Sequence, residues 1–294
     1  MTLKIAVGIA TAGRRQVLTK TIRHLTNQKR PADELLICPA LPSDLDLDCL
    51  DNFPSVVRIT SGKIGSSAQR NLLIDASTAD VIVFFDDDFL PDERFLLEVE
   101  RLFEDHTDVV VATGNVLADG ISGPGFSHDE GVALLASRRS TSLPALIKEV
   151  NNGYGCNMAV RLASVKANEI IFDERLPRYS WLEDVDFSRQ LARLGRIVKA
   201  YSLEGVHLGT KRSGRSSGKS LGYSQIANRI YIMRKGNMSK REAVDGNLRN
   251  ILANLTRSFK PEPWVDRRGR LLGNCIALRD WLTGKLDPEK ILKF

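Results

Sequence analysis

A mostly parallel, doubly wound α/β sheet with flanking helices is the fold this sequence predicts, and three observations predict it. Short apolar runs alternate with amphipathic helical stretches from residue 3 to residue 112, the rhythm of strand–helix–strand units. One run, Val81-Ile82-Val83-Phe84-Phe85, is apolar throughout, as in a strand covered on both faces. Hydrophobic residues make up 43% of the 294, enough for a full core without disulfide or metal staples.

The elements follow in order. Residues 3–9 read as a buried strand, with no signal peptide ahead of it. Residues 14–27 read as a helix with Val17, Leu18, Ile22 and Leu25 inward. A strand at 34–38 is stopped by Pro39 and Pro42, and another follows at 56–59. Residues 66–76 form a helix burying Ala68, Leu72, Leu73 and Ala76. Residues 92–104 form one burying Phe95, Leu96, Val99, Leu102 and Phe103, followed by a strand at 109–112. Residues 118–131, rich in Gly, Ser and Asp, read as a loop. A turn, a strand and a short helix follow from residue 151, then a helix over 183–194 with Phe187, Leu191 and Leu194 inward and Gly195 as its cap, then a strand at 197–200. Residues 211–220 read as a mobile loop, and the rest as helices with basic faces. Asp287-Pro288 has the N-cap and first-turn proline of a helix start. The expected division is a first unit over 1–210 and a basic loop with a helical extension over 211–294 packed on it.

The net charge of +6 conceals two halves. From His207 onward there are 19 Lys and Arg against seven Asp and Glu, so the first 206 residues carry −6. An acidic first part fits a cation site, and a basic tail fits phosphate groups, an anionic membrane surface or an ordinary solvated face. The tail lacks the interleaved aromatics of a single-strand platform, so no nucleic-acid partner is expected. Cys38, Cys49, Cys156 and Cys275 are scattered without metal-site spacing and read as reduced thiols. No apolar run has the length of a membrane span. The expected location is cytoplasmic; 267–282, where Arg267, Arg268 and Arg270 precede Leu271, Leu272, Ile276, Leu278, Trp281 and Leu282, reads either as a peripheral contact with an anionic membrane surface or, in preference, as a helix packed on the first unit with its basic side in solvent.

Three motifs carry chemistry. Asp86-Asp87-Asp88 follows directly on the apolar run, at the strand end where open sheets bind ligands. Adjacent carboxylates repel, a nearby cation relieves them, and hard oxygen donors suit Mg²⁺ or Mn²⁺. The structural alternative is a polar turn whose Asp87 or Asp88 caps the helix from Asp92. Trp181-Leu182-Glu183-Asp184-Val185-Asp186 opens a helix; its acids complement the helix dipole or supply a general base. Gly65-Ser66-Ser67-Ala68-Gln69-Arg70-Asn71 opens another, with amides free to meet an anion and an Arg to pair with a phosphate or an acid.

In order, Thr11-Ala12-Gly13-Arg14, Gln69-Arg70-Asn71, Asp86-Asp87-Asp88, Gly155-Cys156-Asn157, Phe172-Asp173-Glu174-Arg175-Leu176, Glu183-Asp184 and His207 form a series that resembles family 2 glycosyltransferases. These are inverting enzymes of the GT-A fold, and the resemblance runs from about Leu3 to about His207. It implies that Asp88 and Asp86 ligate Mn²⁺ or Mg²⁺, with His207 as a last metal or diphosphate contact. Asp87 lies near the donor ribose, and Thr11, Ala12, Arg14 and Arg70 meet the nucleotide. Gly155 and Asn157 line the sugar pocket, Asp184 is the base and Glu183 binds the acceptor or orients the base. The implied partners are a nucleotide-diphosphate sugar and a glycan or lipid-linked acceptor. The family's acid pair after the second strand is missing: the chain reads Ile37-Cys38-Pro39-Ala40, and Asp44 comes only later. Two rivals stand beside this reading. A non-catalytic sugar-nucleotide or carbohydrate binder would share the fold. A sugar nucleotidyltransferase would carry a Gly-rich phosphate loop with a Lys, which Thr11-Ala12-Gly13-Arg14-Arg15 matches poorly.

Overall fold

A computed structural model describes residues 2–138, 146–211 and 217–294. Half of the expected mobile loop at 211–220, residues 212–216, falls outside the described residues, and its last three residues are helical. Four strands, β1 (Ile5–Thr11), β2 (Glu34–Pro39), β3 (Val56–Ile59) and β4 (Val81–Asp86), lie side by side in the order β3-β2-β1-β4, all parallel. Beyond β4 the sheet becomes mixed. Here β8 (Asn157–Arg161) runs antiparallel between β4 and β6 (Val109–Asp119), and β9 (Arg196–His207) runs parallel to β6. Two short strands, β5 (Phe89–Pro91) and β7 (Ile147–Glu149), pair antiparallel with β9.

Strand alternation divides the core. Ile5, Val7, Ile9, Val81, Val83 and Phe85 meet α1 (Arg15–Leu25) and α3 (Phe95–Asp105) on one face. Ala6, Leu36, Ile82 and Phe84 meet α2 (Ser66–Ala76), α5 (Leu162–Ala167) and α6 (Glu183–Leu191) on the other. The parallel half is thus wound on both faces, as its continuous apolar runs require. Several details depart from the sequence pattern. Val17 is only half-buried and Thr21 takes the inward place. The α3 helix starts at Phe95 and β5 intervenes, so neither Asp87 nor Asp88 caps it. The expected loop at 118–131 is a 3₁₀ turn and irregular chain over 120–127, while its first two residues end β6 and its last four open α4 (His128–Arg138). Leu194 is exposed, because α6 closes at Leu191, before Gly195.

The helical extension is α7 (Gly218–Arg234), α8 (Lys240–Arg257) and α9 (Arg267–Leu282), and it ends in a 3₁₀ turn at Pro288–Lys293 capped by Asp287. Backbone touches backbone between α7 and α9: a Cβ on Gly222 would lie 2.0 Å from Arg270 O, and one on Gly273 2.2 Å from Lys219 O. Around this contact Asn254 and Asn274 form a buried amide network with Gln225 and the Gly222 carbonyl. The extension joins α6 through an apolar cluster of Leu176, Val185, Ile232, Met238 and Ala243. Lys235 Nζ reinforces the joint, 2.6 Å from both Asp173 and buried Asp186. Among the described residues, no helix is long and apolar enough to cross a membrane.

Candidate active site

The carboxyl ends of β1 and β4 open onto a cavity of about 580 Å³ lined by Thr11, Arg14, Arg70, Asp86, Trp181 and Asp184, among others. Pairing of Phe89 with His207 brings the end of β9 beside the acidic turn. His207 Nε2 then lies 3.3 Å from Asp88 Oδ1 and 3.8 Å from Asp86 Oδ2. One ligand atom from each of Asp86, Asp88 and His207 falls within 4.8 Å of the others. Asp88 Oδ1 is buried and makes no well-formed hydrogen bond. Two carboxylates and an imidazole are a suitable donor set for a divalent cation, and the nitrogen suits Mn²⁺ better than Mg²⁺.

The electrostatics fit a compact charged centre. Burial raises the Asp88 pKa, but His207, Arg14 and the Thr210 amide hold it well below the usual range. Burial lowers the His207 pKa, yet Asp119 and Asp88 together push it up to about 10. His207 Nδ1 lies 2.9 Å from Asp119 Oδ1, and the Tyr154 hydroxyl donates to Asp119 Oδ2 at 3.0 Å. Asp87 turns the other way. It is fully buried, accepts from the Thr11 hydroxyl at 2.6 Å and pairs with Arg14 at 3.0 Å, and burial raises its pKa. Asp87 thus ties the turn to the loop after β1, inside the protein.

The polar run on α2 is buried and joins segments together. Gln69 donates to the carbonyls of Thr11 and Cys38, and Asn71 exchanges hydrogen bonds with the Phe172 backbone. Arg70 is fully engaged, with Glu183 at 2.6 Å and Asp86 and the Gly155 carbonyl at 3.1 Å each. The first α2 amides, expected to be free for an anion, are taken: Ser66 N donates to Arg178 O and Ser67 N to Ser180 Oγ.

Those contacts hold the approach to Glu183-Asp184. Arg178, Ser180 and Leu182 all have left-handed backbone, with φ of 62°, 50° and 71°, and such strain gathers at functional sites. Leu182 then starts α6 abruptly, so Glu183 meets Arg70 while Asp184 faces the cavity. Asp184 accepts from the amides of Gly155 at 2.9 Å and Val185 at 2.8 Å. A Cβ on Gly155 would press on Arg70 at 3.2 Å and Asp184 at 3.4 Å, so glycine lets the three meet. Burial raises the Asp184 pKa, and it pushes Glu183 up to about 8 against the pull of Arg70.

Of the residues singled out in the sequence, Thr11, Ala12, Arg14, Arg70, Asp86, Gly155, Glu183 and Asp184 line this one cavity. Asp88 and His207 sit just behind Asp86. Asn157 is fully buried behind the wall, where its Oδ1 accepts from Thr113 and Gly114. Asp44 accepts from the amide of Leu41 within its own turn. Sequence reading missed Asp119, Tyr154 and Thr210, which hold His207 and Asp88. The one available signal for Asp119 was the apolar pattern of β6 running on through Ala118.

The sequence model of Glycosyl transferase family 2 matches residues 6–167. No curated protein matches the sequence. Among solved structures, that of TarS from S. aureus is similar over 89% of this chain at 17% identity with a TM-score of 0.56, and the chain spans 44% of that protein. TarS 1–349 in complex with UDP is similar over 98% of this chain and 89% of its own, at 15% identity and a TM-score of 0.57. The mannosyltransferase PcManGT from Pyrobaculum calidifontis, in complex with GDP-Man and Mn2+, is similar over 99% of this chain and 86% of its own, at 12% identity and a TM-score of 0.57. These likenesses give the GT-A fold, and the matched residues cover more than half of a chain that belongs to glycosyl transferase family 2.

Proposed function

We propose that the protein transfers a sugar from a nucleotide-diphosphate sugar to an acceptor hydroxyl, with inversion at the anomeric carbon. The observation that carries this reading is a set of cation donors, Asp86, Asp88 and His207, that borders the cavity through Asp86, and across that cavity a separate acid, Asp184, held by two backbone amides. A divalent cation, Mn²⁺ in preference to Mg²⁺, would neutralise charge on a diphosphate leaving group. Thr11, Ala12 and Arg14 form the donor-side wall. Asp184 takes the proton of the acceptor hydroxyl, and its raised pKa brings it closer to the pH at which it must work. The freed oxygen attacks the anomeric carbon opposite the diphosphate, whose bond to that carbon breaks. Glu183, anchored by Arg70, keeps the base in place; Arg70 acts on the acids and not on the nucleotide.

The donor class is supported by solved structures of similar fold that hold UDP, UDP-GlcNAc and GDP-Man. The acceptor is a glycan or a lipid-linked hydroxyl. The catalytic unit is residues 1–210, with 211–294 as its support. One observation favours a second reading, a non-catalytic binder: Cys38-Pro39-Ala40 offers no acid for a nucleotide base, and Asp44 is turned into its own loop. Thermal shifts with UDP, GDP, dTDP and CMP, each with and without Mn²⁺, separate the two, since a ligand bound to the native state raises its apparent stability. The transferase reading expects one diphosphate to stabilise the wild type only with Mn²⁺, and Asp88→Asn to lose the effect. No shift in any condition would sink it and favour a carbohydrate binder, while a shift without turnover would favour a sugar-nucleotide binder.

A further inference from the structure

The peripheral contact considered at 267–282 is not a continuous face, because α9 packs on α7 and Ile276 and Leu278 join the inner cluster of the extension. Leu272, Trp281 and Leu282 of α9 are exposed, but a longer run of uncovered apolar side chains lies on α8. Val244, Leu248, Leu252 and Leu255 follow one another at spacings of four, four and three, which places them on one helical face, and Phe259 follows just past the helix end. They are 46%, 52%, 57%, 43% and 83% exposed, and Trp264 beyond the helix end is 39% exposed. The other face of α8 buries Ala243 and Asn254 against the protein.

The charge beside this stripe is one-sided. Lys240, Arg241, Arg249, Arg257 and Lys260 accompany it, against Glu242, Asp245 and Glu262, the last taken by Arg257 and Arg267. Glu242 is drawn off by Arg189 on α6, and Asp245 lies beside Arg241. Lys240, Arg249 and Lys260 are exposed and have no ion-pair partner among the described residues. From Gly218 to Phe294 there are 16 Lys and Arg against seven Asp and Glu. A second copy seated on this face would bring like charge against like charge. A bilayer carrying anionic headgroups matches both features at once: apolar side chains enter the acyl boundary while Lys and Arg meet phosphates.

We infer that the α8 face docks the protein on an anionic lipid surface. The contact is independent of the catalytic reading. The Arg189–Glu242 pair, at 2.8 Å, ties the start of α8 to the helix that carries Asp184, so docking would also fix how the cavity is presented to the membrane.

Flotation of the full chain with vesicles of phosphatidylcholine, alone or mixed with phosphatidylglycerol, tests it. The wild type should float with the mixed vesicles only, and less as salt is added. Leu248→Glu with Leu252→Glu, and separately Phe259→Ser, should weaken partition by about tenfold or more while circular dichroism and melting stay as in the wild type. Wild type that stays in solution, floats equally on phosphatidylcholine alone, or floats no better than the variants would overturn the inference. So would wild type that is dimeric by light scattering, binds no vesicle and becomes monomeric in the variants, which would assign the face to a second copy.

Discussion

Asp86 is shared between two centres. One oxygen lies 3.1 Å from Arg70, in the Glu183 network, and the other 3.8 Å from His207, in the cation set. Replacing it should disturb both, whereas its neighbours separate the functions. Asp184→Asn should lower transfer by about 10²–10⁴-fold and leave the Mn²⁺-dependent thermal shift intact; near-normal turnover would remove Asp184 as the base. Asp119 is outside the cation donor set but orients His207, so Asp119→Asn should weaken Mn²⁺ binding by about 10–100-fold, read by calorimetry without any substrate. Unchanged Mn²⁺ affinity would reduce Asp119 to a structural contact. Asp86, Asp88 and Asp184 were legible in the sequence because acids directly after an apolar strand or opening a helix are local patterns. His207 was reached only through the family resemblance and Asp119 not at all, because both depend on the pairing of β9 with β5 and β6, which joins residues far apart in the chain. Asn157 misled for the opposite reason: its motif neighbour Gly155 lies in the turn before β8 and lines the cavity, whereas Asn157 opens the strand and is buried against Thr113 and Gly114 of β6.

At the scale of elements, the parallel half could be read from alternation alone, since each of its strands is followed by a helix or a turn with clear punctuation. The mixed half could not. The short β5 carries no periodicity of its own, and β9 runs seven residues past the apolar stretch that marked it, through Tyr201 to His207. The joint between α6 and the extension was equally hidden, and it rests on Lys235 between Asp173 and Asp186. Lys235→Met should destabilise the protein by about 2–3 kcal/mol, below the 3–5 kcal/mol of a fully buried pair because the Lys side chain is 27% exposed. Urea unfolding measures this, and an unchanged midpoint would show the joint to be apolar alone. The joint is also pH-dependent. Burial raises the Asp173 pKa, but Lys235 and Tyr231 lower it below its ordinary 3.8. Its contribution is therefore present above that value and lost as pH falls through and below it. Burial lowers the Lys235 pKa and the two aspartates raise it above 10.5, so that contribution persists through neutral pH and fades only as pH rises through the raised value. The wild type should lose more stability than Lys235→Met between pH 5 and pH 3; equal losses would place the acid sensitivity elsewhere.

For the whole molecule, the charge asymmetry proved the more informative part of the composition. The acidic first part holds the cavity, and the basic remainder forms the helices that brace it. The extension covers Leu176 and Val185, both in or beside the segment that leads to Asp184, so it is more than an appendage. Removing residues 218–294 should give an aggregating chain with reduced cooperativity in thermal melts; a soluble fragment that melts like the full chain would show that 1–210 stands alone. The three left-handed residues before α6 have a consequence for laboratory evolution. Each holds roughly 1–3 kcal/mol of unfavourable backbone energy, and glycine at 178 or 182 would release part of it. A library sorted only for resistance to heat should collect those glycines, and the same library sorted for turnover should discard them, because the stiffness they relieve is what aims Asp184.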